Sequence, residues 1–567
     1  MNLILDIETN SERSHIWMVC TKNIDTGESF CHSTAQTLSI QIEQAERVIG
    51  HNLVGFDHFL LQKLWKIPNF LGKCWDTLIV SRLLKPDIAD GHSLEAWGRR
   101  LGNKKIDYQS RYIEERLKEE PHYHYSDNDE WDFPIDWLMF DYCTQDVDLT
   151  GDLYRHLNNQ LLRQKFSNYS VTLEHQVAAI VAEQVRNGVL IDQRAMMLLK
   201  AEVEDELAAM TDRLVDEFEP TVVVMKTKVK HIPFNPGSRM QIIERLKARG
   251  WVPTEFTEKG NVILDEEQLK ALDIPEAKTF LRYFELQKIN SFLTNWDDKI
   301  QADGRIHGNV ITNGAVTGRM THSSPNLGQV PSAQTELGKR CRAIFTVSEG
   351  CAMVGIDASG LELRMLAHYM QDADYVKAVC EGKSADKTDV HSLNQKAAGL
   401  ATRDQAKTFI YAYLYGAGDE KIGSIVGGGA KTGKKLKADF LAKTPALEAL
   451  KKKIARMAEK GSLPGLDGRR LFVRSSHKAL NTLLQGAGAV VMKEALVIFE
   501  GNLKALDIPH KFILNVHDEF QLEVPTEYAE QVGQIGRASI QAAGVTLKLR
   551  CPLDGEYKIG KNWYETH

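Results

Sequence analysis

The chain has 567 residues, 43% of them hydrophobic and 26% charged, as expected for a globular protein of three to five domains. Its eight cysteines are scattered with no CxxC pair, which excludes a zinc ribbon and fits a reducing compartment. The formal net charge of −6 excludes a uniformly basic nucleic-acid binder, so any contact with DNA must rest on a local patch.

The chain opens on the apolar strand Leu3-Ile-Leu5 and runs straight into Asp6 and Glu8, too early for a signal peptide. No apolar run reads as long enough to span a bilayer, so a membrane is not expected as a partner. Residues 1–150 alternate short apolar runs with helical patterns, the mark of an α/β domain. Strand alternation puts Asp6 and Glu8 on one face. Two carboxylates held together repel unless a cation lies between them, which points to Mg²⁺ or Mn²⁺. Asp57, in His51-Asn52…Phe56-Asp57, and Asp146, in Tyr142-Cys-Thr-Gln-Asp146, supply further acids. Tyr142 and Asp146 are four apart, hence on one helix face. Taken alone, the Asp6/Glu8 pair also fits a chance pair of surface acids. The ordered set resembles the three motifs of DEDD-superfamily exonucleases of the tyrosine subtype. That resemblance implies a ribonuclease-H-like fold, two metals held by Asp6, Glu8, Asp57 and Asp146, a water oriented by Tyr142, and removal of nucleotides from a 3′ end. The acidic, aromatic segment Asp127–Asp136 has no functional reading.

Residues 160–300 read as long amphipathic helices broken near Ile232–Arg239. Within them, Val222–Arg249 holds seven cations (Lys226, Lys228, Lys230, Arg239, Arg245, Lys247 and Arg249) against the single acid Glu244. This fits a DNA-tracking patch and equally a solvated helix face. Residues 305–365 read as β-rich, 385–460 as helical and lysine-rich, and 511–560 as short strands.

Three segments in this half stand out. Val354-Gly-Ile-Asp357-Ala358-Ser-Gly-Leu-Glu362-Leu-Arg364 is an apolar strand ending in an acid. Arg403, Lys407, Tyr411 and Tyr415 recur every four residues, forming one slowly turning helical stripe. Two cations followed by two rings suit a nucleoside triphosphate, although an ordinary amphipathic helix gives the same pattern. Val516-His517-Asp518-Glu519 reads as a hairpin turn between apolar runs.

Together these segments resemble motifs A, B and C of family A DNA polymerases, the DNA polymerase I type. The resemblance spans nearly the whole chain. It is strongest to the replicative polymerases of short-tailed phages, and is supported by Thr317-Gly-Arg319, Ser324-Pro-Asn326-Leu-Gly-Gln329 and Asn481–Gln485. It implies a multidomain α/β and α+β protein, in which a 3′→5′ exonuclease domain (1–155) precedes a right-hand polymerase. The thumb would span 165–300, the palm 301–371 and 485–567, and the fingers 372–484.

The resemblance also assigns roles. Asp357 and Asp518, with the Ala358 carbonyl, would hold two Mg²⁺ ions, for which Mn²⁺ could substitute. His391, Arg403 and Lys407 would meet the triphosphate, Tyr411 the incoming sugar and base, and Tyr415 the templating position. Glu362 would exclude a ribose 2′-OH. Arg319, Gln485 and His517 would sense the minor groove of new base pairs, with Asn326 and Gln329 beside the DNA. Arg364 and Glu519 read as structural. A tyrosine at 411, rather than phenylalanine, resembles members that accept dideoxynucleotides readily.

The implied partners are primer–template DNA, deoxynucleoside triphosphates and a replicative helicase–primase. The protein would act as a monomer in the cytoplasm, that of the host cell for a phage protein. The sequence lacks the long thumb insertion with which phage relatives bind thioredoxin, so a thioredoxin partner is not expected. It also shows no 5′-nuclease segment ahead of Asp6. A repair polymerase of the same family, a 3′-exonuclease with an inactive DNA-binding C-terminal half, and a non-catalytic scaffold are the competing readings.

Overall fold

The computed structural model describes every residue except 225–227 and 258, so Lys226 of the basic stretch lies outside the described residues. The chain forms two compact units. One comprises 1–187, 310–322 and 354–559; the other comprises 188–309, 323–353 and 560–567.

The first unit begins with a five-stranded sheet in the order β3-β2-β1-β4-β5. Its strands are β1 (Asn2–Thr9), β2 (Ile16–Asn23), β3 (Ser29–His32), β4 (Arg47–Gly50) and β5 (Cys74–Asp76). β1, β2 and β3 pair antiparallel, while β4 and β5 run parallel to β1. Leu3, Leu5 and Ile7 pack one face of β1 against Leu38, Leu60 and Leu61, and Ile4 packs the other face against the long helix Asp136–Gln164. That helix covers the sheet with Cys143, Val147, Leu149 and Leu153.

The 127–136 segment packs beside the connection between β1 and β2. Ser11 donates to the Asp132 carboxylate through its N–H (2.9 Å) and its hydroxyl (2.7 Å). Trp17 Nε1 donates to the Trp131 carbonyl at 2.7 Å, and the Trp131 ring leans on Tyr142 at 6.0 Å. The segment that carries no motif thus backs a motif residue.

The same unit holds a four-stranded sheet in the order Lys511–Val516, Glu519–Pro525, Cys351–Ala358, Gly555–Gly560. The sequence reading of 511–560 as strands alone is corrected here, because the helix Ala529–Thr546 occupies much of it. Its glycines look like turn signals but serve packing. A Cβ on Gly533 would lie 2.2 Å from the Tyr557 ring, and one on Gly536 would lie 2.7 Å from Ile356.

A second correction concerns apolar length. By length and composition, the helix ending at Ala505 could cross a bilayer, with mean hydropathy 1.5 over its most apolar window. Of that window, 83% is buried inside the protein, so it is the central core helix of this unit.

A buried ion cluster joins distant parts of the first unit. Glu174, on the helix Asn168–Asn187, accepts from Arg469 at 2.5 Å and from Lys493 at 2.6 Å. Lys493 also donates to Asn313 at 2.8 Å, and Arg469 to Asp467 at 2.7 Å. Burial lowers the Lys493 ammonium to about 8. Burial also opposes the Arg469 charge, but Glu174 and Asp467 outweigh it and raise its pKa. Glu174→Ala leaves two buried cations short of their acid. It should cost about 3–5 kcal/mol, the usual penalty for breaking a buried pair, read from urea unfolding.

The second unit packs the helices Gln193–Glu217, Arg239–Ala248 and Pro275–Asp297 around Leu214, Phe218, Phe234 and Phe280. Its hairpin, Thr221–Val224 with Val229–Ile232, exposes Lys228 and Lys230. The rest of the basic stretch divides. Arg245 donates to the Glu219 carbonyl and Arg249 pairs with Glu276 at 3.0 Å, so both brace the unit itself.

Candidate active sites

The first site forms at the C-terminal end of β1. Asp6 and Glu8 point to the same side, joined by Asp57 at the start of the helix Asp57–Trp65 and by Asp146 from the long helix. The Ile7 N–H donates to the Asp57 carboxylate and so fastens it beside β1. The loop before Asp57 is held by Asp76, which accepts the N–H groups of Asn52 and Val54 at 3.0 Å each. Asn52 adopts a positive φ of 64°, which lets the chain turn sharply there.

Glu8, Asp57 and Asp146 are buried. Burial, then the charges of Glu8, Asp146 and Asp57, raises Asp6 well above the ordinary carboxylate range. Burial, then Asp146, does the same to Glu8, and burial lifts Asp57 to about 8. Asp146 Oδ1 is buried with no hydrogen-bond partner. Crowded, raised and under-coordinated oxygens of this kind fit a hard divalent cation, which favours an all-oxygen ligand set. Cys143 also enters the site, its Sγ 3.7 Å from Asp6 Oδ2. Tyr142 stands beside Asp146 with its ring against Tyr108 at 4.9 Å. Sequence reasoning missed Lys105, whose Nζ lies 2.5 Å from Asp146 Oδ2 and 4.3 Å from the centre of the Tyr142 ring.

The second site forms where two strands of the four-stranded sheet meet. Asp357 is the penultimate residue of Cys351–Ala358, and Asp518 lies in the turn between Lys511–Val516 and Glu519–Pro525. The Ala358 N–H donates to the Asp518 carbonyl at 3.1 Å, so the two acid-bearing segments run side by side. His517, in the same turn, has φ 58°, the left-handed conformation that reverses the hairpin. Burial and then the Glu362 charge raise Asp518 to about 6, with Arg319 opposing. A carboxylate raised this far by burial and by Glu362, on a turn bonded to the strand that carries Asp357, also fits a divalent cation.

Glu362 is the hub beside these acids. It accepts from Tyr415 Oη at 2.9 Å and from Arg319 Nη2 at 3.2 Å. Three of the sequence-selected residues are therefore directly bonded. Tyr415 is the C-cap of the helix Arg403–Leu414, its N–H still bonded to the Tyr411 carbonyl at 2.9 Å, so the helical stripe ends on it. A capping box of Thr402 and Gln405 starts that helix. Arg403 grips Asp389 through Nη2 at 2.7 Å and Nε at 3.0 Å, and Asp389 in turn caps the helix that carries His391. Burial works against the Asp389 carboxylate, but hydrogen bonds from Arg403 and Ser392 hold it at about 2. His391 Nδ1 is buried without a partner, and its ring lies 6.2 Å from Tyr411. Lys407 is exposed, and Gln485 is half-buried on the central helix. Burial, then Glu362 and Asp518, raises the Tyr411 phenol to about 12.

Arg364 donates to the Ser359 carbonyl at 2.8 Å and to Pro552, and buried Glu519 accepts from Gln521. Asn326 and Gln329 belong to the second unit, where Asn326 caps the short turn Leu327–Gln329.

Comparison with known proteins bears on both sites. The model of DNA polymerase family A matches residues 204–565, which includes the second site and not the first. The chain is 33% identical to the DNA-directed DNA polymerases of Enterobacteria phage T3 and Escherichia phage T7. Each alignment spans 674 positions and covers 94% of this chain and 94% of the relative. These alignments are longer than the chain itself, so both relatives carry residues that it lacks. A solved structure of the polymerase domain of Pol1 from M. smegmatis, in complex with DNA primer-template and dNTP, shares the fold. Its TM-score is 0.78 at 19% identity, covering 100% of this chain and 96% of that one.

Proposed function

The chain belongs to DNA polymerase family A and is a DNA-directed DNA polymerase, and from that premise we propose how its two sites divide the work. The second site extends the 3′-OH of a primer on a DNA template with deoxynucleoside triphosphates. The first site, in a ribonuclease-H-like domain at 1–155, removes mispaired 3′ ends. The thumb (165–300), fingers (372–484) and split palm (301–371 and 485–567) hold primer–template DNA. The observation that carries the polymerase reading is the backbone bond from Ala358 to Asp518, which sets the two acid-bearing segments together next to Glu362.

Asp357, Asp518 and the Ala358 carbonyl would hold Mg²⁺ or Mn²⁺ at the polymerase site, and Asp6, Glu8, Asp57 and Asp146 would hold it at the exonuclease site. What the cations supply when bound is activation of the attacking oxygen and neutralisation of charge on the phosphate. The remaining work falls to the chain. His391, Arg403 and Lys407 line up donors for the triphosphate. Tyr411 covers sugar and base, and Glu362, held by Tyr415 and Arg319, blocks the position of a 2′-OH. Arg319, Gln485 and His517 test the minor groove, with Asn326 and Gln329 along the DNA. At the other site, Tyr142 orients the attacking water.

The testing experiment is Mg²⁺-dependent primer extension with nucleotides present, and 3′ degradation with them withheld. Extension without degradation removes the exonuclease assignment. Degradation without extension removes the polymerase assignment. A replicative helicase–primase is the accessory partner this reading favours. Addition of thioredoxin should leave product length unchanged.

Tyr411→Phe tests the nucleotide pocket. The phenol oxygen can supply the polar contact near the sugar that a missing 3′-OH would otherwise make. A hydrogen bond of about 1–1.5 kcal/mol corresponds to about tenfold in rate. The variant should therefore discriminate about tenfold more strongly against dideoxynucleotides, measured as the ratio of terminator to normal incorporation. Equal ratios for the two proteins would remove Tyr411 from sugar selection.

A further inference from the structure

Lys105 lies outside every motif, yet three devices deliver it to the first site. It sits in the short connection between the helices Leu94–Leu101 and Tyr108–Glu119. Gln145 clamps that connection on both sides of Lys105. Its amide nitrogen donates to the Lys104 carbonyl at 3.1 Å, and its amide oxygen accepts the Ile106 N–H at 2.6 Å. Gly98 lets the connection lie close, since a Cβ there would meet the Asn103 carbonyl at 2.5 Å. Asp107 then caps the following helix, accepting the Ser110 N–H at 3.2 Å. Gln145 directly precedes Asp146, so the clamp and the acid are parts of one rigid helix.

The outcome is a lysine side chain only 16% exposed, with Nζ shared between Asp146 Oδ2 and the face of Tyr142. The Tyr142 ring already rests on Tyr108 at 4.9 Å and on Trp131 at 6.0 Å. Lys105 adds a further contact and so fixes where the phenol points. It engages one oxygen of Asp146, while the other, Oδ1, has no hydrogen-bond partner.

We propose that Lys105, set by the Gln145 clamp, is a positioning residue of the exonuclease site, and that its ammonium shares Asp146 with the divalent cation bound there. This inference rests on the exonuclease reading. In the reaction, a water oxygen bonds to phosphorus and loses a proton. The bond from phosphorus to the 3′-oxygen breaks, and that oxygen leaves protonated as the shortened strand's 3′-OH. Lys105 neither takes nor gives a proton in this balance. It acts through Tyr142, which aims the water, and through Asp146, whose second oxygen it leaves open.

Two readouts test this in the full-length chain, in an Asp357→Ala/Asp518→Ala background, so that Mn²⁺ binding reports on the first site. One is 3′ excision of single-stranded DNA, with kcat separated from KM. The other is Mn²⁺ affinity, from the electron paramagnetic resonance signal of the free ion. Lys105→Met should lower kcat by about tenfold or more, the usual cost of losing a group that orients a site residue, with KM for DNA little changed. It should also tighten Mn²⁺ binding, because the competing ammonium is gone. Lys105→Arg should restore the parental Mn²⁺ affinity. Gln145→Ala, which loosens the clamp but keeps the charge, should lower kcat in the same direction. Mn²⁺ affinity that is unchanged or weaker in Lys105→Met would overturn the sharing of Asp146, and an unchanged kcat would overturn the positioning role. If the parent excises nothing while Lys105→Met still binds Mn²⁺ more tightly, the exonuclease reading fails and the shared acid stands.

Discussion

Asp518→Ala should abolish primer extension and, on the proposed division of labour between the two sites, should leave 3′ excision at the parental rate. Asp518 sits in a hairpin turn beside Asp357, raised to about 6 by burial and by Glu362. On the proposed assignment, removing its carboxylate takes away one of the two acids that would hold the cations for phosphoryl transfer. Loss of one transition-state stabiliser costs about 10²–10³-fold, and loss of a carboxylate that holds a cation should cost at least that. The Ala358–Asp518 bond uses the backbone carbonyl, so the turn itself should survive the substitution. Single-nucleotide incorporation under saturating DNA is the measurement. Extension within tenfold of the parent would move the chemistry away from Asp518.

Asp6→Ala should produce the opposite pattern, with the proposed excision activity lost by at least about 10²-fold and extension unchanged. Asp6 is pushed up by burial and by the charges of Glu8, Asp146 and Asp57, so its carboxylate is crowded by like charge. Replacing it relieves that crowding, and the fold should be no less stable. This separates the expected loss of activity from unfolding, and a thermal melt run beside the excision assay checks it. Excision that persists in chelator-stripped, Mg²⁺-restored buffer would remove Asp6 from the site.

What the sequence made legible was local. Asp6 and Glu8 share a strand face because side chains alternate, and Arg403, Lys407 and Tyr411 share a helix because four residues approximate one turn. The family was also legible, since its motifs are short and contiguous. The less legible parts are those built by contacts between distant segments. Lys105 reaches Asp146 across 41 positions of chain and carries no motif spacing. The Glu174–Arg469–Lys493 cluster joins residues about 300 apart, and each of them alone reads as an ordinary surface charge. The helix Ala529–Thr546 was missed because Gly533 and Gly536 look like breakers, while their actual role is to admit Tyr557 and Ile356 against the backbone. Spacing places Tyr415 at the end of the helical stripe but does not show what its hydroxyl meets. Its carboxylate partner, Glu362, comes from a segment 53 residues earlier.

The helix Asn168–Asn187 has a consequence for dissecting the chain. It follows residues 1–155, the proposed exonuclease region, so a fragment carrying only the polymerase motifs would naturally be cut after it, at the boundary between the compact units. Glu174 argues for an earlier cut. Starting at Gly188 would strip Arg469 and Lys493 of their shared acid and leave two cations sealed in a core. Ser167, bonded to the Asp467 carbonyl, and Tyr169, bonded to Glu494 at 2.5 Å, extend the same seam. A fragment that retains Ser167 onward keeps the seam whole. The proposed exonuclease region can thus be removed by shortening the chain only on the N-terminal side of this helix, which follows that region in sequence and is tied by Glu174 to Arg469 and Lys493.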